Sequence, residues 1–151
     1  MRANFEEQPK RPRKPSGAVD YADAARLREA LRHFHRRSEK VTRAHKLTPQ
    51  RYELLLMIET AREGDERITL GELVDRLQLA ASTVTELVHR CEDAGLVRRE
   101  VDGRRRGILY VRATREGKRR LARAWGELQT DRDRLTSILQ TIDFPNDDAP
   151  S

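Results

Sequence analysis

Apolar residues between positions 70 and 91 recur at helical spacing in two short groups. The first group follows Thr69, a residue type that caps helix N-termini, and the second opens at Ala81 or Ser82. The apolar positions are Leu70, Leu73, Val74 and Leu77, and then Val84, Leu87, Val88 and Cys91. Two helices this close together predict a helix-turn-helix.

The second predicted helix ends at Gly95. Glycine just after the last apolar position adopts the left-handed conformation that satisfies helix-end carbonyls, and Leu96 beyond it can pack back on the stripe. Two β-prone runs follow, at residues 96–101 and 108–113, and the segment between them is polar and flanked by glycine. They predict a two-stranded ribbon, here called the wing, with a solvent-facing tip.

The exposed face of the second helix carries polar side chains suited to DNA. In a helix-turn-helix this helix lies in the major groove, where hydroxyl and guanidinium groups bond base edges or phosphates. Glu86 is the exception, because phosphates repel a carboxylate unless it accepts from a cytosine amino group or pairs with a neighbouring cation. The candidate contact residues are Ser82, Thr83, Thr85, Glu86, His89 and Arg90.

The wing concentrates positive charge. Guanidinium groups make bidentate phosphate contacts and enter narrow minor grooves, although a cluster of arginines is also found in solvated loops. Its position beside a recognition helix favours contact with duplex DNA. The arginines are Arg98, Arg99, Arg104, Arg105 and Arg106.

The order and spacing of these segments resemble the MarR family of bacterial winged-helix transcriptional regulators. The resemblance covers roughly residues 47–121. It is carried by residues 47–55 (LTPQRYELL), 82–90 (STVTELVHR) and 94–99 (AGLVRR), by Asp102 with Arg104, and by Thr114 with Gly117.

The resemblance implies roles for the wing. The family's Asp-x-Arg pair uses Asp to hold Arg for the DNA backbone or minor groove, which assigns those roles to Asp102 and Arg104. Because three arginines are consecutive, Arg105 or Arg106 can occupy the position assigned to Arg104. The family often carries Arg where this chain has Glu86, so the base preference of the family is not transferred to this chain. The resemblance also implies a ligand-responsive repressor.

Two flanking regions carry more apolar surface than one small domain needs. They predict a homodimer with two recognition helices about 34 Å apart, hence a pseudo-palindromic operator. The alternative is that they close a monomeric core. In the region 18–46 the apolar positions are Leu27, Ala30, Leu31, Phe34 and Val41; in the region 114–142, one long helix capped by Thr114, they are Leu121, Trp125, Leu128, Leu135, Ile138 and Leu139.

Family members usually bind an effector between the dimer helices and the DNA-binding lobe, so a small-molecule effector is a candidate partner. Aromatic residues at helical spacing are, however, more often core than ligand site. The candidate lining residues are His33, Phe34, Tyr52, Leu56 and Trp125.

Composition agrees with a small DNA-binding protein. The chain has 151 residues, 36% of them hydrophobic, and a formal net charge of +6, which favours a polyanionic partner.

We expect a mainly α fold with a small β-hairpin wing: a winged helix-turn-helix at 47–113 between two dimerisation helices. Residues 1–17 read as a disordered basic, Pro-rich arm and 143–151 as a flexible tail. Neither a secretory signal nor a membrane span is visible, so we expect a cytoplasmic protein.

The sequence contains none of the catalytic motifs that would indicate an enzyme. The four histidines come without a His-Glu-x-x-His pair, a phosphate loop or a nucleophile elbow, so we expect no catalysis, metal or cofactor. The single cysteine, Cys91, excludes an intramolecular disulfide and reads as a small buried hydrophobe in preference to a redox sensor. The remaining alternative is a winged-helix module that binds protein, which would show exposed apolar groups at the wing.

Overall fold

A computed structural model describes residues 21–142, which form six helices and three strands. The predicted arm at 1–17, the tail at 143–151 and the helix start at 18 lie outside the described residues. The expected mainly α fold with a small β wing is confirmed. The elements are α1 (Tyr21–Ala44), α2 (Pro49–Glu59), β1 (Arg67–Thr69), α3 (Leu70–Leu77), α4 (Ala81–Asp93), β2 (Val97–Asp102), β3 (Ile108–Ala113), α5 (Arg115–Glu127) and α6 (Gln129–Thr141).

The wing belongs to a three-stranded antiparallel sheet with the strand order β1-β3-β2. β2 and β3 form the predicted hairpin, and β1, which the sequence did not predict, pairs with the other side of β3. Ile68 faces Val111 across this pairing, and both side chains are buried. A strand of three residues is too short to show a clear alternation in the sequence.

The core lies between α2, α3, α4, α5 and the sheet. α2 begins with Pro49 in its first turn, where the fixed backbone angle of proline suits a helix start, and Thr48 Oγ1 accepts a hydrogen bond from the backbone N–H of Arg51 at 3.2 Å. Burial of this apolar cluster stabilises the lobe that presents α4. Its largest fully buried apolar side chains include Leu54, Leu55, Ile58, Ile68, Leu73, Leu96 and Leu128.

α1 runs antiparallel to α6. Arg26 Nη2 donates to Thr141 Oγ1 at 3.2 Å, and Arg37 pairs with Asp131 at 3.2 Å. Of the apolar positions predicted to be buried on α1, only Val41 is buried, and Leu31 is 42% exposed. The other three are partly exposed, and α6 is the helix that α1 contacts most among the described residues.

The region 114–142 is two helices, where the sequence predicts one. Thr114 caps α5 as expected, accepting from the backbone N–H of Gly117 at 3.1 Å. The helix breaks at Leu128, where the Arg132 guanidinium donates to the carbonyl oxygen of Trp125 at 2.7 Å and lies over the Trp125 ring. A side chain that takes a helix carbonyl disrupts the backbone hydrogen bonding there.

No helix in the range 21–142 combines the length and the apolar character that crossing a bilayer requires.

Candidate nucleic-acid interface

Defined helix ends position α4 relative to α3. Thr69 Oγ1 accepts from the backbone N–H of Glu72 at 3.2 Å, so Thr69 caps α3 as predicted. α3 ends at Gln78, whose left-handed backbone (φ 54°) turns the chain, and α4 follows after residues 78–80. The predicted helix-turn-helix is confirmed.

α4 has a buried and an exposed side. The predicted stripe of Val84, Leu87, Val88 and Cys91 is buried in the core. Ala80 precedes the helix without a side-chain cap, which leaves its first backbone N–H groups to solvent or to an anionic ligand. The candidate contact residues are all exposed: Ser82, Thr83, Thr85, Glu86, His89 and Arg90.

Two of these side chains have partners within α4. Thr85 Oγ1 donates to the carbonyl oxygen of Ala81 at 2.9 Å. Glu86 forms an ion pair with Arg90 one turn later, and both side chains are largely exposed. Of the two roles that the sequence leaves open for Glu86, the structure therefore contains the pairing with a neighbouring cation.

The helix terminates as the sequence predicts. Gly95 has φ 72°, and its backbone N–H donates to Glu92 O at 2.9 Å. The backbone N–H of Leu96 reaches Cys91 O at 2.9 Å, and the Leu96 side chain is buried. These two bonds form a Schellman motif, which turns the chain from α4 directly into β2.

The wing tip is a tight turn with an exposed arginine in it. Arg106 and Gly107 have φ 50° and 70°, and the backbone N–H of Ile108 donates to Arg105 O at 3.2 Å. Two successive positive φ values are typical of the type I′ turn, whose twist matches a hairpin. The turn holds residues 103–107 in solvent, as expected.

The five wing arginines fall into two groups. Within residues 21–142, Arg104 and Arg106 are exposed and have no side-chain partner. Their guanidinium groups can therefore bind a phosphate without first breaking an ion pair. The others pair with carboxylates, namely Arg98 with Glu100 at 3.1 Å, Arg99 with Glu92 at 2.6 Å and Arg105 with Glu63 at 3.2 Å.

Asp102 is the last residue of β2 and directly precedes the wing tip. Its Oδ1 accepts from the backbone N–H of Arg104 at 2.9 Å, and its Oδ2 accepts from the Arg67 guanidinium at 3.2 Å. The Arg104 bond, with a smaller contribution from Arg67, holds the pKa of Asp102 below its ordinary value. Asp102 thus contacts the Arg104 backbone, and its side-chain partner is Arg67, which sequence reasoning missed.

Two further residues near the wing were missed. The Arg67 guanidinium lies 4.1 Å from the centroid of the Tyr110 ring, and the Tyr110 hydroxyl donates to Glu63 Oε2 at 3.3 Å. Glu63 is also the carboxylate that pairs with Arg105. No local signal in the sequence locates Arg67, because the strand that carries it is only three residues long.

Comparison with protein families gives one match. Residues 45–107, from the end of α1 to the wing tip, match the model described as the MarR family. This segment of the chain is therefore similar to the MarR family. The match includes α4, Asp102 and all five wing arginines. A comparison with curated proteins found no match.

Solved MarR-family structures share the fold. AbsC, a MarR family transcriptional regulator from Streptomyces coelicolor, is 23% identical, with a TM-score of 0.65 over 87% of this chain and 88% of that chain. A MarR family protein from Bacillus stearothermophilus is 25% identical, with a TM-score of 0.60 over 83% and 86%. A mutant MarR from E. coli, complexed with operator DNA, is 18% identical, with a TM-score of 0.63 over 78% and 81%. The likeness extends beyond the MarR-family segment to the flanking helices.

The residues proposed for a MarR-family effector site are only partly brought together. His33 and Phe34 line a cavity of about 400 Å³ between α1 and α6. Tyr52 and Leu56 lie elsewhere, because α2 packs them into or against the core. Trp125 is also outside the cavity, 45% exposed and in contact with Arg132. The cavity lining adds residues that the sequence did not indicate, namely Arg26, Glu29, Ala30, Asp131, Arg134, Leu135 and Ile138.

Tyr52 is linked to Trp125 through a shared partner. Burial raises the pKa of Tyr52, and a hydrogen bond with Arg132 partly opposes that shift. Because Arg132 also stacks on Trp125, its guanidinium occupies the space between these two candidate effector residues.

Cys91 is fully buried on the inner side of α4, as predicted. Burial raises the pKa of its thiol to about 11, so the reactive thiolate is scarce at neutral pH. We expect a thiol reagent such as DTNB to leave the native protein unlabelled and to label it fully in denaturant. Rapid labelling of the native protein would contradict the buried assignment.

Within residues 21–142, no group of three or more His, Cys, Asp and Glu side chains is placed to hold a metal ion. His45 pairs with Glu127 at 2.8 Å, while His33, His35 and His89 are exposed on different helix surfaces.

Proposed function

We propose that this protein is a sequence-specific double-stranded DNA-binding transcriptional regulator. It acts as a homodimer on a pseudo-palindromic operator, and a small-molecule effector relieves its repression. The observation that carries the DNA-binding part is the exposed polar face of α4 beside the exposed arginines of the wing, all within a MarR-family segment. A structurally similar E. coli protein is complexed with operator DNA, which supports the same assignment.

The two parts of this surface have different tasks. α4 lies in the major groove and reads base edges through its N-terminal half, where Ser82 and Thr83 have exposed hydroxyl groups. Arg104 and Arg106 bind phosphates or enter the minor groove, because they are the wing arginines without carboxylate partners within residues 21–142.

Selection of bound duplexes from a random DNA pool tests this function. We expect a pseudo-palindrome whose half-site centres are about one helical turn, roughly 34 Å, apart. Salt-sensitive binding without a recovered motif would leave only non-specific attraction between a basic protein and DNA. Absence of binding would contradict the assignment.

Replacing Glu86 by Gln should strengthen DNA binding. The change removes one negative charge from the DNA-facing side of α4 and releases Arg90 from its ion pair. One additional phosphate contact would steepen the slope of log affinity against log salt by about one unit. Fluorescence anisotropy across a salt series measures this, with Glu53→Gln on exposed α2 surface as the charge-matched control. An unchanged or weakened affinity would indicate that Glu86 itself contacts a base.

Homodimer formation is supported by the apolar face of α1 and α6. Leu27, Phe34, Ile138 and Leu139 are only partly buried in the single chain, and Leu31 is 42% exposed. Contact with the same helices of a second copy would remove this surface from water.

Replacing Leu31 by Glu should dissociate the dimer, because it places a carboxylate in the apolar interface. Sedimentation velocity should show a shift from dimer to monomer at micromolar concentration. Ala25→Glu is the control, since Ala25 is exposed on α1 outside the Leu27, Leu31 and Phe34 stripe. A monomeric wild-type protein, or a dimeric Leu31→Glu protein, would contradict this assembly.

Effector control is supported by the cavity between α1 and α6. Its volume of about 400 Å³ suits a small molecule, with Phe34 in the lining and charged groups such as Arg26 and Arg134 around it. A ligand there lowers DNA affinity only by its preference for the dimer geometry that does not fit DNA. Transcription in vitro from a template with the selected site, with and without protein, tests the repressor assignment.

A second candidate function is a winged-helix module that binds protein. It is favoured by two apolar side chains on the wing strands, Val101 at 67% and Ile108 at 41% exposure. The same DNA selection distinguishes the candidates, because a protein-docking wing requires no duplex. Loss of DNA binding after Arg104→Ala, but not after Val101→Ser, would assign the wing to DNA.

A further inference from the structure

β1 and the root of the wing are joined by a chain of contacts that ends at Arg104. The Arg67 guanidinium donates to Asp102 Oδ2 at 3.2 Å, and Asp102 Oδ1 accepts the backbone N–H of Arg104 at 2.9 Å. The other face of the Arg67 side chain lies on Tyr110, 4.1 Å from the ring centroid. Arg67 therefore contacts two partners, Asp102 and Tyr110, and through Asp102 it holds the backbone of Arg104.

This ion pair differs in burial from the others in the wing. The side chains of Arg67 and Asp102 are 22% and 15% exposed, whereas those of Arg105 and Glu63 are 57% and 55% exposed. Shielding from water strengthens a charged hydrogen bond, and stacking on an aromatic ring restricts the guanidinium to one orientation. The Arg67–Asp102 pair is the more rigid of the two attachments of the tip.

We infer that Arg67 is a positioning residue: through Asp102 it fixes the backbone at Arg104 and so presents the exposed Arg104 side chain to DNA. This inference rests on the proposed function. This positioning requires a carboxylate whose two oxygens accept different hydrogen bonds, one from the sheet and one from the wing tip. Asp102 supplies this at the last residue of β2, just before residues 103–107 leave the sheet.

Preorganisation explains why this contact affects binding. A flexible loop must lose conformational freedom when its arginine meets a phosphate, and that loss lowers affinity. A tip fixed before the encounter avoids it. Removing Arg67 leaves the Arg104 side chain intact but lets its backbone move, so the expected defect is weaker binding through the same contact.

The principal variant is Arg67→Met, which keeps an apolar stem on Tyr110 and removes the hydrogen bond to Asp102. Arg112→Met is the matched control. Arg112 lies opposite Arg67 in the sheet register and pairs with Glu100 at 3.3 Å and with the carbonyl oxygen of Asp65 at 2.7 Å, so its loss removes the same charge without touching Asp102. Thermal unfolding followed by circular dichroism checks that both variants are folded.

Amide hydrogen exchange of the free protein gives the first readout. We expect the Arg104 amide to exchange at least about tenfold faster in Arg67→Met than in the wild type, and to be unchanged in Arg112→Met. Unchanged exchange in Arg67→Met would overturn the inference. This measurement needs no DNA, so it decides the role of Arg67 at the tip even if the protein binds no duplex and the proposed function fails.

A double-mutant cycle on a bound duplex gives the second readout. We expect Arg67→Met to weaken binding on the order of tenfold in the wild-type background and by less than about twofold in the Arg104→Ala background. A merely structural role, or a direct phosphate contact by Arg67, would make the two losses multiply. Multiplicative losses would therefore overturn the inference.

Discussion

Replacing Gly117 by Ala should lower the free energy of unfolding by about 2 kcal/mol, because a Cβ atom at this position overpacks against the backbone. That atom would lie 2.2 Å from the carbonyl oxygen of Leu96. The same oxygen accepts the backbone N–H of Thr114 at 2.9 Å, so it cannot retreat without disturbing the cap of α5. Gly117 thus permits the close approach of α5 to the segment that connects α4 to the wing.

Gly126→Ala is the matched control for Gly117→Ala. Gly126 lies in the same helix, and a Cβ atom there would meet nothing within 4 Å. Alanine should therefore raise stability by about 0.5 to 1 kcal/mol through its better helix propensity. Urea denaturation followed by circular dichroism measures both changes. Equal stabilisation by the two substitutions would contradict the close contact at Gly117.

The combined substitution Arg104→Ala and Arg106→Ala should weaken binding to every duplex on the order of 100-fold at low salt. Two phosphate contacts would be lost, so the slope of log affinity against log salt should fall by about two units. Because these side chains have no protein partner within residues 21–142, their removal leaves no unpaired carboxylate behind. Anisotropy titrations from low to high salt give both quantities.

The control for the wing is the combined substitution Arg98→Ala and Arg99→Ala. It changes the net charge equally, but these arginines are engaged by Glu100 and Glu92. We expect a loss below about tenfold, since such paired cations contribute chiefly through the long-range field. Equal losses from both double variants would show that net charge, and not the unpaired state of Arg104 and Arg106, determines affinity.

The elements of the DNA-binding lobe were predictable because their signals are local. Thr69 marks a helix start through its side-chain oxygen and Gly95 a helix end through its backbone, in both cases by hydrogen bonds to nearby residues, and the Val84 stripe follows the helical period. The exposed face of α4 follows from the same period. These features require no knowledge of distant parts of the chain.

The remaining features depend on contacts between residues far apart in sequence. Arg67 and Asp102 are 35 positions apart, and Glu63 and Arg105 are 42 apart, so no local pattern indicates which wing arginines are paired. The break at Leu128 depends on a side-chain bond to a helix carbonyl, which helical periodicity does not reveal. The 42% exposure of Leu31 depends on which elements pack against α1, and helical periodicity does not reveal this packing.

The central claim is that α4 reads sequence while the wing binds the backbone. The most direct measurement compares the affinity of the protein for its selected pseudo-palindrome with that for a scrambled duplex of the same length and composition, at one fixed salt concentration. We expect a ratio of at least about 1,000 for the wild type, a clearly smaller ratio for Thr83→Ala, and a nearly unchanged ratio for Arg104→Ala despite weaker binding to both duplexes. Equal affinity of the wild type for the two duplexes would contradict this claim.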